Sequence, residues 1–229
     1  MTTLVVLQPS YLPWLGFFDQ VRRCDHFVFY DDVPYDKNGW RNRNRIKAAS
    51  GPVWLTVPVR TKGRLGQLIN EVEITDTIPW ARKHLTTIAE AYAAAPFRDS
   101  YLPALADLLQ RRWERLADLD IAVSKLMCGW FRLDRPMHRS STLEIGGDRN
   151  ARLLALCRHF GATTYLSGDA AQAYLDTELF AQHGIAVQWQ DFKHPQYPQQ
   201  HGPFLPFMSA LDFVLNVGDE CTAVLAAAG

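Results

Sequence analysis

Two apolar, β-prone runs open this chain with one short helix length between them, and little else constrains the fold as strongly. Thr3 to Leu7 reads as a buried strand, and Gln8 to Pro13 cannot be helical because it holds two prolines. Trp14 to Arg23 follows as a short helix with apolar Trp14, Phe17, Phe18 and Val21, and His26 to Asp31 is a second strand. A strand, turn, helix, strand unit pairs its strands in parallel through a right-handed crossover. Both strands end in polar and aromatic residues that a core does not need. The carboxyl ends of parallel strands are where an α/β protein builds a ligand site.

Further along, Val53 to Val59 reads as a third strand, and alternating apolar positions make Ile69 to Ile74 a fourth. Trp80 to Ala95 reads as a helix with Pro79 at its first turn, and Tyr101 to Trp130 as two helices meeting near Leu116 to Asp120. Helix-to-strand alternation then resumes. Asn150 to His159 is a helix stopped by Gly161, Thr163 to Leu166 a strand, and Ser167-Gly168-Asp169 a turn. Ala170 to His183 reads as a helix, Ile185 to Trp189 as a strand, and Phe207 to Val217 as a closing helix. The pattern predicts an α/β fold with an open, mostly parallel, Rossmann-like sheet and a helical insertion over roughly 79–134. No repeat or low-complexity linker divides it, so the expectation is one domain over 1–229.

The formal net charge is zero, which does not advertise nucleic acid or an anionic membrane as a partner of the whole surface. No apolar run approaches a membrane span, and the N-terminus lacks the pattern of a signal peptide. The four cysteines are scattered without a CxxC pair, which favours reduced thiols in the cytosol over disulfides or a zinc site. The histidines likewise show no metal-ligand spacing, so no metal is expected. Charge is unevenly spread, however. From Asp36 to Arg64 eight Lys or Arg stand against the single acid Asp36, interleaved with Asn38, Asn42, Asn44, Trp40 and Trp54. Guanidinium groups among aromatics and amides suit phosphate or carboxylate ligands better than a plain solvated loop would require.

Several residues carry possible chemistry. Gln8, Tyr11 and Trp14 follow the first strand, without the glycine-rich loop of a dinucleotide or P-loop fingerprint. Core packing is an equal reading for Trp14. Asp31 and Asp32 end the second strand, and since neighbours point to opposite faces, only one can enter a given cleft. Either could be a general base, a magnesium ligand, a ribose anchor or a simple loop cap. Ser167 and Gly168 precede a helix start that favours anions, although Ser167 or Asp169 could merely be its cap. The polar, proline-rich stretch from His194 to Pro206 is costly to order unless it covers something, and His194 could act as acid or base near neutral pH. Asp212 and Asn216 share a face of the closing helix.

The segments QPSYLPWLGFF, YDDVPYDKNGWRNRNRIK, WLTVPV, YLSGDAAQAYL, HPQYPQ and FLPFMSALDFVLNVG resemble, in order, the motifs of the WbqC-like protein family. The resemblance spans nearly the whole chain. It implies a bacterial protein of cell-surface polysaccharide (O-antigen) or sugar-modification pathways, some members of which look like transferases placing a glycyl-like aminoacyl or acyl group on an amino sugar. The matching positions are Gln8, Tyr11, Trp14, Asp31, Asp32, Tyr35, Lys37, Trp40, Asn42, Arg43, Lys47, Ser167, Gly168, Tyr174, His194, Tyr197, Ser209, Asp212 and Asn216. One departure is Gly147-Asp148-Arg149-Asn150, where members of the family often carry lysines and a threonine. If those lysines touch ligand phosphate, substrate choice differs here.

These readings converge on a cytoplasmic transferase acting on the amino group of a nucleotide-linked sugar or similar small acceptor. Amide formation needs an activated acyl or aminoacyl donor, a base and oxyanion donors. His194, Asp32 or Asp31 would supply the base, and Lys37, Arg41, Arg43 and Lys47 would hold phosphate. Tyr35, Trp40, Asn42, Tyr197, Ser209 and Asp212 complete the expected binding set. An aminoacyl-tRNA donor would use the same basic segment as a backbone footprint. The alternative is a non-catalytic module that binds a nucleotide, sugar or nucleic acid through the Trp40 and arginine surface.

Overall fold

The computed structural model of the chain describes residues 1–37 and 39–227. Asn38, read above among the asparagines of the basic run, lies outside the described residues. Strands β1 (Thr3–Leu7), β2 (His26–Phe29), β5 (Met137–Arg139), β6 (Thr164–Ser167) and β7 (Ala186–Trp189) form a parallel sheet in the order β5-β2-β1-β6-β7. The fold is thus α/β, open and Rossmann-like, and the chain reverses direction across the sheet between β1 and β6. Such a reversal leaves a crevice at the carboxyl ends of the two strands, because their connections depart to opposite sides. Strands β3 (Arg43–Ala48) and β4 (Gly51–Thr56) form a separate antiparallel hairpin.

Strand alternation decides how the layers form. Val5, Phe27 and Phe29 face a large core shared with α1 (Leu15–Arg23), α4 (Leu116–Trp130), α7 (Ala210–Val217), α8 (Cys221–Ala227) and the hairpin residues Ile46 and Leu55. Leu4, Val6 and Val28 face a second core with α5 (Arg149–His159) and α6 (Thr177–Gln182). Helices α2 (Trp80–Ala91) and α3 (Arg98–Leu109) precede α4 and, with it, make up the helical insertion.

Several expectations differ from the structure. Ile69 to Ile74 is not a strand. Its start is a 3₁₀ turn, Ile69–Glu71, because Glu71 turns back to accept from the Leu68 amide at 2.8 Å. The break in the insertion falls at 110–115, and Leu116 begins α4 rather than ending a helix. The expected helix from Ala170 to His183 is split into a 3₁₀ turn, Asp169–Ala173, and α6, which is capped anew by Asp176. Within the basic run from Asp36 to Arg64, read as a binding surface, Arg43–Ala48 forms strand β3, and β5 is a strand beyond those expected.

Helix α7 ends at Gly218 with φ 64°, a left-handed conformation glycine adopts freely. A Cβ there would sit 2.3 Å from the Phe97 ring. Gly218→Ala should therefore lower stability by about 2–4 kcal/mol through strain and collision together. Urea unfolding checks this, and a parent-like midpoint would show that the α7–Phe97 contact relaxes freely.

Candidate functional site

A cavity of about 1050 Å³ opens at the carboxyl ends of β1 and β6. That is the crevice the strand order creates, and its size reaches the upper end of the range for small-ligand sites. Gln8, Asp32, Ser167 and Gly168 line it together with Trp14, Trp40 and Arg41. Residues from three distant segments of the sequence reading therefore meet in one place.

Asp31 and Asp32 lie past the end of β2 at Phe29 instead of ending the strand, and their side chains part company there. Asp31 is fully buried and accepts from Arg139 Nε at 2.7 Å, the Ser141 hydroxyl at 2.9 Å and the Ser141 amide at 3.0 Å. It fastens the end of β5 and does not reach the cavity. Asp32 faces the cavity and is held by the Arg152 guanidinium and the Ser140 hydroxyl. Arg152 also donates to the Ile145 carbonyl at 2.7 Å and lies 4.9 Å over the Tyr30 ring.

The hairpin and the segment before it supply the opposite wall. Within Arg41 to Arg45, the asparagines are buried and the arginines part-buried. Asn42 donates to the Val57 carbonyl at 2.8 Å and Asn44 to the Leu12 carbonyl at 2.6 Å, so both amides satisfy loop backbone. Arg41 donates to the carbonyls of Gln8 and Pro9 at 3.1 and 3.2 Å. Arg45 lies 5.4 Å over Trp40 and 5.6 Å over Trp54. Arg43 stacks 4.7 Å over Trp54 and does not line the cavity, and Lys37 is exposed outside it.

Several expected binding residues are instead parts of the scaffold. Tyr11 is fully buried, with its hydroxyl 3.0 Å from His84 Nδ1. Tyr35 is half-buried away from the cavity, and burial pushes its hydroxyl up to about 12. Lys47 is buried, donating to the Pro203 carbonyl at 2.6 Å and to the Gly202 carbonyl and Gln199 Oε1 at 3.2 Å. Asp212 accepts from the hydroxyls of Tyr92 and Tyr197, both at 2.7 Å, and from Gln199 at 2.8 Å. Burial nevertheless raises its carboxyl above the usual range. Ser209 caps α7, accepting from the Leu211 amide.

His194 is the main correction. Its Nε2 accepts from the Phe207 amide at 3.2 Å, which requires the tautomer with a proton on Nδ1. That proton is donated to the Pro195 carbonyl at 2.9 Å. Both ring nitrogens are engaged, and the ring lies outside the cavity lining behind Phe207. His194 shapes the loop that carries the wall and has no free base to offer.

Cavity residues given no role of their own from the sequence include Gln20, Tyr30, Arg45, Arg149 and Arg152. Arg45 could have been found from the period-two alternation of arginine and asparagine. Arg149 falls within the departure noted at Gly147 to Asn150 and Arg152 two residues beyond it, and both line the cavity. Gln20 donates to Gln190 Oε1 at 2.7 Å, and its own Oε1 has no partner among the described residues. Burial pushes the thiols of Cys24, Cys128 and Cys157 up to about 12. They are poor nucleophiles. Among the described residues, no group of three or more His, Cys, Asp or Glu is placed to hold a metal ion, and no helix is long and apolar enough to cross a membrane.

The match to the WbqC-like protein family covers residues 8–224. The chain belongs to that family. It is also 36% identical over 222 residues to Uncharacterized protein Rv1507c of Mycobacterium tuberculosis, covering 96% of each chain. No solved structure matches it. In this WbqC-like protein the family match covers the cavity-lining residues from Gln8 to the wall residue Phe207.

Two outcomes test the scaffold reading. Burial pulls His84 down from 6.5 to about 4, so the folded chain resists a proton that the unfolded chain takes up below about 6.5. Stability should fall by about 3 kcal/mol as pH drops from 6.5 to 4, and be fully present above that window. His84→Gln should flatten the dependence in urea titrations, and an unchanged slope would assign it elsewhere. Lys47→Met leaves buried acceptors unpaired and should destabilise by about 3 kcal/mol or more. A variant that melts like the parent yet binds ligand poorly would return Lys47 to the site.

Proposed function

We propose that this protein is a cytoplasmic transferase of cell-surface polysaccharide or sugar modification, placing an aminoacyl or acyl group on the amino group of a nucleotide-linked sugar. The observation that carries the reading is the cavity itself. It lies where the sheet order reverses, and four arginines line it against one carboxylate, Asp32. Guanidinium groups suit a diphosphate bidentately, and the faces of Trp40, Tyr30 and Tyr174 suit a flat base or sugar ring.

In this reading the acceptor ammonium first loses a proton, and its nitrogen then attacks the carbonyl carbon of a thioester or ester donor. The new C–N bond forms as the C–S or C–O bond breaks, and the thiolate or alkoxide leaves protonated. Asp32 is the carboxylate positioned to take the amine's proton, with Arg152 holding its orientation. Arg41 and Arg45 hold the phosphates.

Arg45→Ala should weaken binding of a nucleotide sugar by about 10- to 100-fold with stability unchanged, the range for a charged hydrogen bond. Incubation with a nucleotide amino sugar and an acyl or aminoacyl donor should give the amide, detected by mass. A second reading is favoured by the engagement of Asp32 with Arg152, which leaves no unpaired base on the wall. Saturable nucleotide-sugar binding without amide from any donor would make the protein a binding module. Absence of binding in the parent would overturn both.

A further inference from the structure

Three of the cavity's arginines, Arg41, Arg45 and Arg149, form no ion pair with a carboxylate among the described residues; Arg41 donates to the Gln8 and Pro9 carbonyls, and the other two stand in different layers. Arg45 belongs to the hairpin, which packs into the core with Val5 and Phe29. Arg149 belongs to α5, which packs on the other face of the sheet with Leu4 and Val6. Both line the same cavity. Between them in charge, the Asp32–Arg152 pair is already neutral.

Arg149 is held as a clamp. Its guanidinium carbon lies over the Tyr174 ring, 4.4 Å from the centroid. Asn150 fixes the ring's own backbone, donating to the Tyr174 carbonyl at 3.4 Å and accepting from the Asp176 amide at 3.2 Å. The neighbouring acid, Asp148, is occupied in capping Ala151 at 2.9 Å. A guanidinium stacked by its face leaves its N–H edge free in plane, the geometry that meets an oxyanion bidentately.

We propose that Arg149 and Tyr174 form a second oxyanion subsite, separate from the Arg41–Arg45 side, so that the cavity takes two anionic groups at once. Resting on the proposed function, the first is the diphosphate of the nucleotide sugar. The second is a single carboxylate or phosphate, carried either by the sugar or by the acyl donor. The Gly147 to Asn150 segment then sets substrate choice through Arg149.

The test uses the full chain and defined probes. Calorimetric titration with inorganic pyrophosphate should show two sites in the parent, one in Arg149→Ala and one in Arg45→Ala. Arg149 is exposed, so Arg149→Ala should melt like the parent. A single site in the parent, or two in Arg149→Ala, would overturn the second subsite while leaving the proposed ligand at Arg45 intact. Loss in Arg149→Ala with Arg45→Ala unaffected would keep the subsite and remove the hairpin from the proposed function.

UDP-glucose and UDP-glucuronate then separate the two sources. If the sugar carries the second anion, the parent should prefer UDP-glucuronate by roughly 10-fold or more, and Arg149→Ala should lose the preference. If the donor carries it, the two should bind alike, and inorganic phosphate should still bind the UDP-glucose-saturated parent but not Arg149→Ala. Equal binding of both sugars with no phosphate uptake at saturation would overturn the proposal.

Discussion

The buried contact between Lys47 and the loop before α7 holds together everything that forms the cavity's outer wall. The Lys47 ammonium binds Gln199, Gly202 and Pro203, while Gln199 passes on to Asp212, which also takes the hydroxyls of Tyr92 and Tyr197. One charged network thus ties strand β3, the end of α2, the proline-rich loop and α7. A loop with so many prolines and glutamines cannot satisfy its carbonyls through helix or sheet, and a buried lysine supplies the donors. With the loop fixed, Ser209 pairs with Arg45 and Trp14, and Phe207 closes over the cavity.

The adjacent aspartates just past the end of β2 divide labour between them. Asp31 turns inward, where three donors from Arg139 to Ser141 hold its charge and align β5 on the sheet edge. Asp32 turns toward solvent, where Arg152 from α5 reaches it. The same two residues therefore fix one edge of the sheet and orient one wall of the cavity. Moving either charge by one position would exchange a buried ion pair for an unpaired buried carboxylate.

Legibility in the sequence followed the physics of each element. Strands β1, β2, β6 and β7 were readable because their apolar runs are bounded by turn residues, and their parallel pairing follows from the helices between them. Strand β5 was not, since a three-residue strand after Pro136 carries too little pattern. The location of the cavity was readable from strand ends. The roles of its residues were less so, because polarity alone does not tell a ligand contact from a scaffold contact. Lys47, Asn42, Tyr197 and Asp212 look like binding residues and are buried. They are polar because the loops they support are irregular and their backbone groups need partners. Arg152 was missed for the opposite reason: on an amphipathic helix, arginines read as solvated surface, and only the fold brings the first turn of α5 to the cavity.

The arginines left in the cavity differ from those used elsewhere in the chain. Arg139 and Arg152 find carboxylates, and Arg64 finds Glu73. Arg45 and Arg149 lie instead on aromatic faces, where the attraction is modest and the in-plane donors stay unspent. A folding core gains nothing from leaving such donors open, since a nearby acid would stabilise them further. An aromatic support keeps each guanidinium placed and rigid while leaving its charge available, which is the arrangement an arriving anion can use without displacing an internal partner.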